Sequence, residues 1–217
     1  MDKEEPQKRI LFLAACPKNT PRLRLDEEIR QIDNALRSSN ERESFGLHVK
    51  FAVTPKEWVQ ALLEVSPQIV HFAGHGSPDG GLALESSNGR SKLIKPKALE
   101  ELFEPFAQEV NCVLLNACYS EPQARGIATN INYVMGMERA VTDKAAIAFA
   151  DGFYSALGSG RSVEQAYTIA CAALRLLGIP EADRPILKRH PRCLTSRKQV
   201  SRRRWVLVLD ATIEELN

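Results

Sequence analysis

Short, almost wholly apolar runs alternate along the chain with longer stretches in which apolar residues recur every three or four positions. The runs read as strands buried on both faces, and the longer stretches as amphipathic helices. Ile10–Ala15 (ILFLAA), Leu47–Val53, Ile69–Gly74 (IVHFAG), Cys112–Asn116 (CVLLN), Tyr133–Met137 (YVMGM) and Trp205–Leu209 (WVLVL) are the strands predicted for the main sheet. After the first of them, Leu25, Ile29, Ile32 and Leu36 fall at helical spacing. Asp26, Glu27 and Glu28 stand near the start of that helix, where its dipole favours acids. Pro55–Val65 opens on a proline suited to a first helical turn. Leu82–Glu85 and Leu93–Lys95 flank a polar turn as a small hairpin. Pro96–Phe106, most of Tyr119–Asn132, Thr142–Leu157 and Ser162–Leu177 read as further helices. Ser162 with Gln165 three positions on is a capping box, and Gly178 and Pro180 stop that helix.

Strands alternating with helices predict an α/β fold: a three-layer sandwich with a mostly parallel six-stranded sheet and helices on both faces. The chain has no internal repeat or low-complexity tract, so residues 1–217 are read as a single domain.

Composition removes several classes. At 44% hydrophobic and 26% charged, the chain is neither disordered nor fibrous. No apolar run approaches the ~18 residues that span a bilayer, so no membrane association is expected. Met1–Arg9 is charged and lacks an apolar core of its own, so no signal peptide is expected and a cytoplasmic location follows by default. The 5 cysteines form no CxxC pair and read as reduced thiols. They and the 4 histidines lack metal-ligand spacing, so neither a metal nor any other cofactor is expected.

The net charge of +2 hides an asymmetry. Lys188, Arg189, Arg192, Arg197, Lys198, Arg202, Arg203 and Arg204 fall in one segment without an acid. The remaining 21 Lys and Arg face 27 Asp and Glu. Such a body does not suit direct nucleic-acid binding. Residues 180–204 read as a long basic loop inserted before the last strand, mobile by charge repulsion and suited to docking an acidic partner.

In open α/β sheets, sites form beyond the carboxyl ends of the strands. Gly74-His75-Gly76 follows the third strand, and Ala117-Cys118-Tyr119-Ser120 the fourth. If those strands are neighbours about 4.8 Å apart, His75 and Cys118 face one cleft. A thiol beside an imidazole is the minimum apparatus for nucleophilic acyl transfer. Gly76 lets its N–H approach a substrate oxygen, so with the Cys118 N–H it forms a candidate oxyanion hole. The plain alternative for each residue alone is a structural histidine in a tight turn and an inert thiol. His71, inside the third strand, reads as a core histidine bonded to backbone. Cys112 and Cys171 read as core, Cys16 as a passive residue at the cleft edge, and Cys193 as an exposed thiol.

The segments ILFLAACPKNTPRLRLDEEI, IVHFAGHG, VLLNACYSEPQA, YVMGM and DKAAIAFADGFYSALGSGRSVEQAY resemble a CHAT domain. CHAT domains are caspase-like cysteine peptidases of the group that holds separase, metacaspases and gingipains. The resemblance runs from about Arg9 to Gly178. It implies a caspase-like sheet and peptide-bond hydrolysis by a Cys–His dyad. It puts the nucleophile on Cys118, the general acid/base on His75, and the oxyanion site on the N–H groups of Gly76 and Cys118. It also implies a protein substrate, a regulatory or sensor partner, and work in a bacterial defence or cell-death circuit, for example on a gasdermin-like effector.

Substrate selection is less legible. Arg22 and Arg24 lie where caspases place a pocket arginine, and Asn116 and Glu138 are expected to face the cleft. The opposing reading pairs Arg22 and Arg24 with Asp26 and Glu28 along the helix. A catalytically silent adaptor docking through the basic segment is the competing function. A phosphate-binding protein is disfavoured, because the first loop, CPKNTP, has no glycine.

Overall fold

A computed structural model of the chain describes residues 8–195. The first strand, β1 (Lys8–Ala15), leads through a loop into helix α1 (Leu25–Arg37). Strand β2 (Phe45–Lys50) and helix α2 (Pro55–Val65) come next, then β3 (Ile69–Ser77), the hairpin β4 (Gly81–Glu85) and β5 (Ser91–Ile94), and α3 (Pro96–Phe103). The second half holds β6 (Cys112–Asn116), α4 (Glu121–Ile127), β7 (Tyr133–Met137), α5 (Asp143–Gly158), α6 (Val163–Leu176), β8 (Pro185–Arg189) and the short α7 (Pro191–Thr195).

The main sheet runs in the order β2-β1-β3-β6-β7-β8. Its first five strands are parallel, and β8 joins β7 antiparallel. Because successive strand residues point to opposite faces, each strand builds two cores. Leu11, Leu13, Val70, Phe72, Val113 and Leu115 pack beneath α2, α3 and α4. Trp58 of α2 stacks on Phe72 with ring centroids 5.3 Å apart. Ile10, Phe12, Ala73, Leu114 and Met135 pack beneath α1, α5 and α6. The result is the expected three-layer sandwich.

Helix starts obey local chemistry. Thr54 with Glu57, and Ser162 with Gln165, close reciprocal capping boxes on α2 and α6. Thr142 accepts the Ala145 N–H at the start of α5.

Two expectations change. Strand β3 does not stop at Gly74: His75, Gly76 and Ser77 pair antiparallel with Ala83, Leu82 and Gly81, so His75 lies on a strand extension rather than after it. The predicted loop 180–204 is also not irregular throughout. Pro185–Arg189 closes the sheet, pairing Leu187 with Met135. Acids on neighbouring helices absorb its charges: Lys188 Nζ is 2.7 Å from Glu121, and Arg189 Nη1 is 3.1 Å from Glu164. Arg192 donates to Asn132 Oδ1 at 2.6 Å and to the Ala107 and Asn130 carbonyls. Neutralised in this way, the segment supplies a sheet edge, which polarity alone argued against. The predicted strand Trp205–Leu209 and the cations from Arg197 onward lie outside the described residues.

Candidate active site

Strands β3 and β6 are parallel neighbours, with Ala73 opposite Asn116. Two residues further along each chain stand His75 and Cys118. Both line one cleft at the carboxyl edge of the sheet, roofed by the starts of α1 and α5. The gap between the two strand ends is tight. A Cβ added to Gly76 would lie 1.8 Å from the Cys118 carbonyl oxygen, so only glycine lets these backbones meet.

The imidazole of His75 is held from outside the pair. Its Nε2 lies 2.8 Å from the carbonyl of Pro21, an acceptor that requires the proton on that nitrogen and leaves Nδ1 for the cleft. Pro21 ends the loop after β1, and the hairpin anchors that loop. Lys18 N–H donates to the Gly89 carbonyl at 2.9 Å, and Asn19 exchanges hydrogen bonds with Ser91 at 2.7 and 2.9 Å. Cys16 Sγ lies 3.5 Å from the same Pro21 carbonyl, and Cys16 is outside the cleft lining. Sequence reasoning missed Pro21, because a backbone carbonyl leaves no residue-type signal.

Cys118 sits in a strained turn between β6 and α4. Tyr119, the next residue, has φ 55°, in the left-handed region that non-glycine residues rarely occupy. Buried Ser120 braces the turn, donating to the Leu115 carbonyl at 3.1 Å and accepting the Met137 N–H at 2.9 Å. The sulfur rests on Val141, which donates its N–H to Sγ at 3.3 Å. By contrast, burial pushes the thiols of Cys112 and Cys171 above their ordinary range, which keeps them protonated and inert. Cys193 is half-buried against Asn132 Oδ1 at 3.4 Å rather than an exposed thiol.

Beneath the cleft lies a buried polar cluster. Glu28, His71, Asn116 and Tyr154 are all at most 5% exposed. Asn116 Nδ2 donates to Glu28 Oε1 at 2.5 Å and to the Ala146 carbonyl at 3.0 Å. His71 Nε2 is 3.0 Å from Glu28 Oε1, out of line for a hydrogen bond, and Nδ1 is 3.2 Å from the Tyr154 hydroxyl. His71 is therefore a core histidine, as expected, held by side chains rather than backbone. The acidic start of α1 was read as a dipole effect, but Glu28 turns inward and ties α1 to the strand that carries Cys118.

Of the remaining predicted substrate-binding residues, Asn116 and Arg24 line the cleft. Arg24 pairs with Glu27, not with Asp26 or Glu28. Arg22 is exposed on the loop and lies outside the cleft lining. Glu138 is exposed beyond β7, 3.7 Å from Arg139, and is likewise outside the lining, because its backbone N–H turns toward the Arg184 carbonyl.

A six-stranded, largely parallel sheet with a histidine and a cysteine at adjacent strand ends defines a caspase-like α/β protein. The solved caspase-1 of Spodoptera frugiperda superposes with a TM-score of 0.58 at 13% identity, covering 88% of this chain and 92% of that one. Residues 5–191 match the CHAT domain, and the chain belongs to that family. A Roc-COR-CHAT protease from an unknown prokaryotic organism is 23% identical over 175 residues, covering 77% of this chain and 16% of that protein. A probable protease of Gillisia limnaea is 24% identical over 162 residues, covering 74% of this chain and 29% of that protein. The chain thus spans less than a third of the length of these relatives. Among the described residues, no helix is long and apolar enough to cross a membrane.

Proposed function

We propose that this chain is a cysteine endopeptidase in which Cys118 is the nucleophile and His75 the general acid/base. The observation that carries the reading is the approach of the two strand ends, Gly76 against the Cys118 carbonyl, with His75 fixed on Pro21 beside the same cleft. His75 Nδ1 takes the thiol proton as Sγ leaves Val141 and attacks the scissile carbonyl carbon, forming a C–S bond. The Gly76 and Cys118 N–H groups hold the oxyanion. His75 gives its proton to the departing amine as the C–N bond breaks, leaving a thioester. Water, deprotonated by His75, then attacks the thioester, releasing the acid and restoring the thiol.

The substrate is a dedicated protein, and residues 1–217 act as one catalytic unit in the cytoplasm. Relatives named Roc-COR-CHAT protease support control by a regulatory or sensor module, in a defence or cell-death circuit whose effector the protease cuts. The test is covalent capture. A peptidyl electrophile should label Cys118 of the folded full chain, and Cys118→Ala should lose both labelling and hydrolysis. A correctly folded Cys118→Ala protein that still cuts peptides at the parent rate would end the proposal and favour an adaptor.

A further inference from the structure

Resting on that peptidase reading, the cleft floor carries information about the residue the enzyme cuts after. The cleft opens to solvent at the carboxyl edge of the sheet. Two carboxylates, Glu28 and Asp143, line it together with one cation, Arg24. That cation is already committed, because the Arg24 guanidinium pairs with Glu27. Its backbone N–H donates to Asp143 Oδ2 at 3.1 Å, which aligns the carboxylate at the cleft wall.

Glu28 Oε1 is bordered by His71 Nε2 and Asn116 Nδ2. Burial holds the Tyr154 phenol well above its ordinary range, so the phenol keeps its proton. Among the described residues its hydroxyl has one partner, His71 Nδ1. Among the described residues Glu28 pairs with no Lys or Arg.

The independent observation is Asn116, which is 4% exposed and two residues before the nucleophile. Its amide has one workable orientation, since Nδ2 faces two acceptors, Glu28 Oε1 and the Ala146 carbonyl. Oδ1 is then a buried acceptor in the cleft wall with no partner among the described residues. Buried acceptors are normally satisfied. This one lacks a donor among the described residues, two residues before Cys118 in the cleft lining.

We infer that the cleft selects a lysine or arginine immediately before the scissile bond, its cationic N–H donors meeting Asn116 Oδ1 and the carboxylates of Glu28 and Asp143. An acidic side chain, the caspase-type preference, would meet two like charges and no free cation among the lining residues.

The test uses the full chain and peptidyl electrophiles that differ only at that position: Arg, Lys, Leu or Asp. The rate of Cys118 labelling is read by intact mass. The Arg and Lys probes should react about tenfold or more faster than Leu, and Asp slowest of all, about a hundredfold below Arg. Glu28→Gln and Asp143→Asn should each pull the Arg/Leu ratio toward one; Asp143→Asn, at a helix start, keeps the question open to test if Glu28→Gln fails to fold. Labelling of Cys118 with Leu or Asp preferred would overturn the specificity while the peptidase stands. An undiminished Arg preference in a folded Asp143→Asn and Glu28→Gln pair would overturn the assignment of these carboxylates. Failure of every probe to label Cys118 would remove the peptidase reading and this inference with it.

Discussion

Strand β3 carries two histidines four residues apart, and alternation puts both on the same face of the sheet. They have opposite surroundings. His71 is fully buried, its ring 4.6 Å from Phe12 and stacked on Tyr154 at 5.8 Å. His75 is half-buried, on the Pro21 carbonyl beside Cys118. The difference is not in the residue or its face but in the cover. Helices α1 and α5 begin at Leu25 and Asp143, at the carboxyl edge of the sheet. They seal the strand behind that edge and leave the next turn of chain open. One imidazole is packed between the layers, and the other lines the cleft.

The comparison breaks most decisively on substitution of the two histidines. His75→Ala should lower kcat/KM by about three or more orders of magnitude, the scale for losing one member of an acting pair. Its denaturant midpoint should stay near that of the parent. His71→Ala should do the reverse: removing a fully buried ring packed on Phe12 and Tyr154 leaves a cavity, at a cost of about 2–5 kcal/mol, read from urea unfolding. If His71→Ala spared stability and erased turnover, the division of roles would be wrong.

Gly76→Ala comes next. The added Cβ meets the Cys118 carbonyl at 1.8 Å, so the strand ends must separate. A shift of about 1 Å between reacting groups should cost on the order of a hundredfold in kcat. Stopped-assay kinetics together with an unchanged far-ultraviolet spectrum would check it. A Gly76→Ala enzyme at parental speed would show that the approach does not matter.

The smallest effect sharpens the buried side. Tyr154→Phe removes one hydrogen bond, about 1 kcal/mol. It also alters alkaline behaviour. Burial raises the folded-state pKa of Tyr154 above that of the unfolded phenol, so its contribution is full below the ordinary phenol range and is lost as pH rises through it. Unfolding free energy should therefore fall less steeply above about pH 10 in Tyr154→Phe than in the parent. Urea titrations across that range measure the slope, and an identical slope would show that Tyr154 ionises freely in the fold.

Local pattern was enough for much of this. Apolar runs located β1, β3, β6 and β7, because a strand covered on both faces must be apolar throughout. A first-turn proline announced α2, and the Ser162–Gln165 capping box announced α6. His75 and Cys118 stood out as candidates because each lies two residues beyond the last parallel pairing of β3 with β6. The basic segment misled for the same reason that the runs succeeded. Lys188 and Arg189 look solvated until Glu121 and Glu164, 67 and 25 residues away in sequence, are folded beside them.

The sequence by itself determined the layers, the capping box of α6 and which histidine and cysteine stand as the candidate pair, since these depend on periodicity and residue type within short windows. Only the tertiary structure decided that β8 joins β7 in the sheet and that Pro21 holds the His75 imidazole. It alone decided that Glu28, His71 and Asn116 form one buried cluster under the cleft. Those outcomes depend on contacts between distant segments, and on a carbonyl every residue possesses, so no local pattern encodes them.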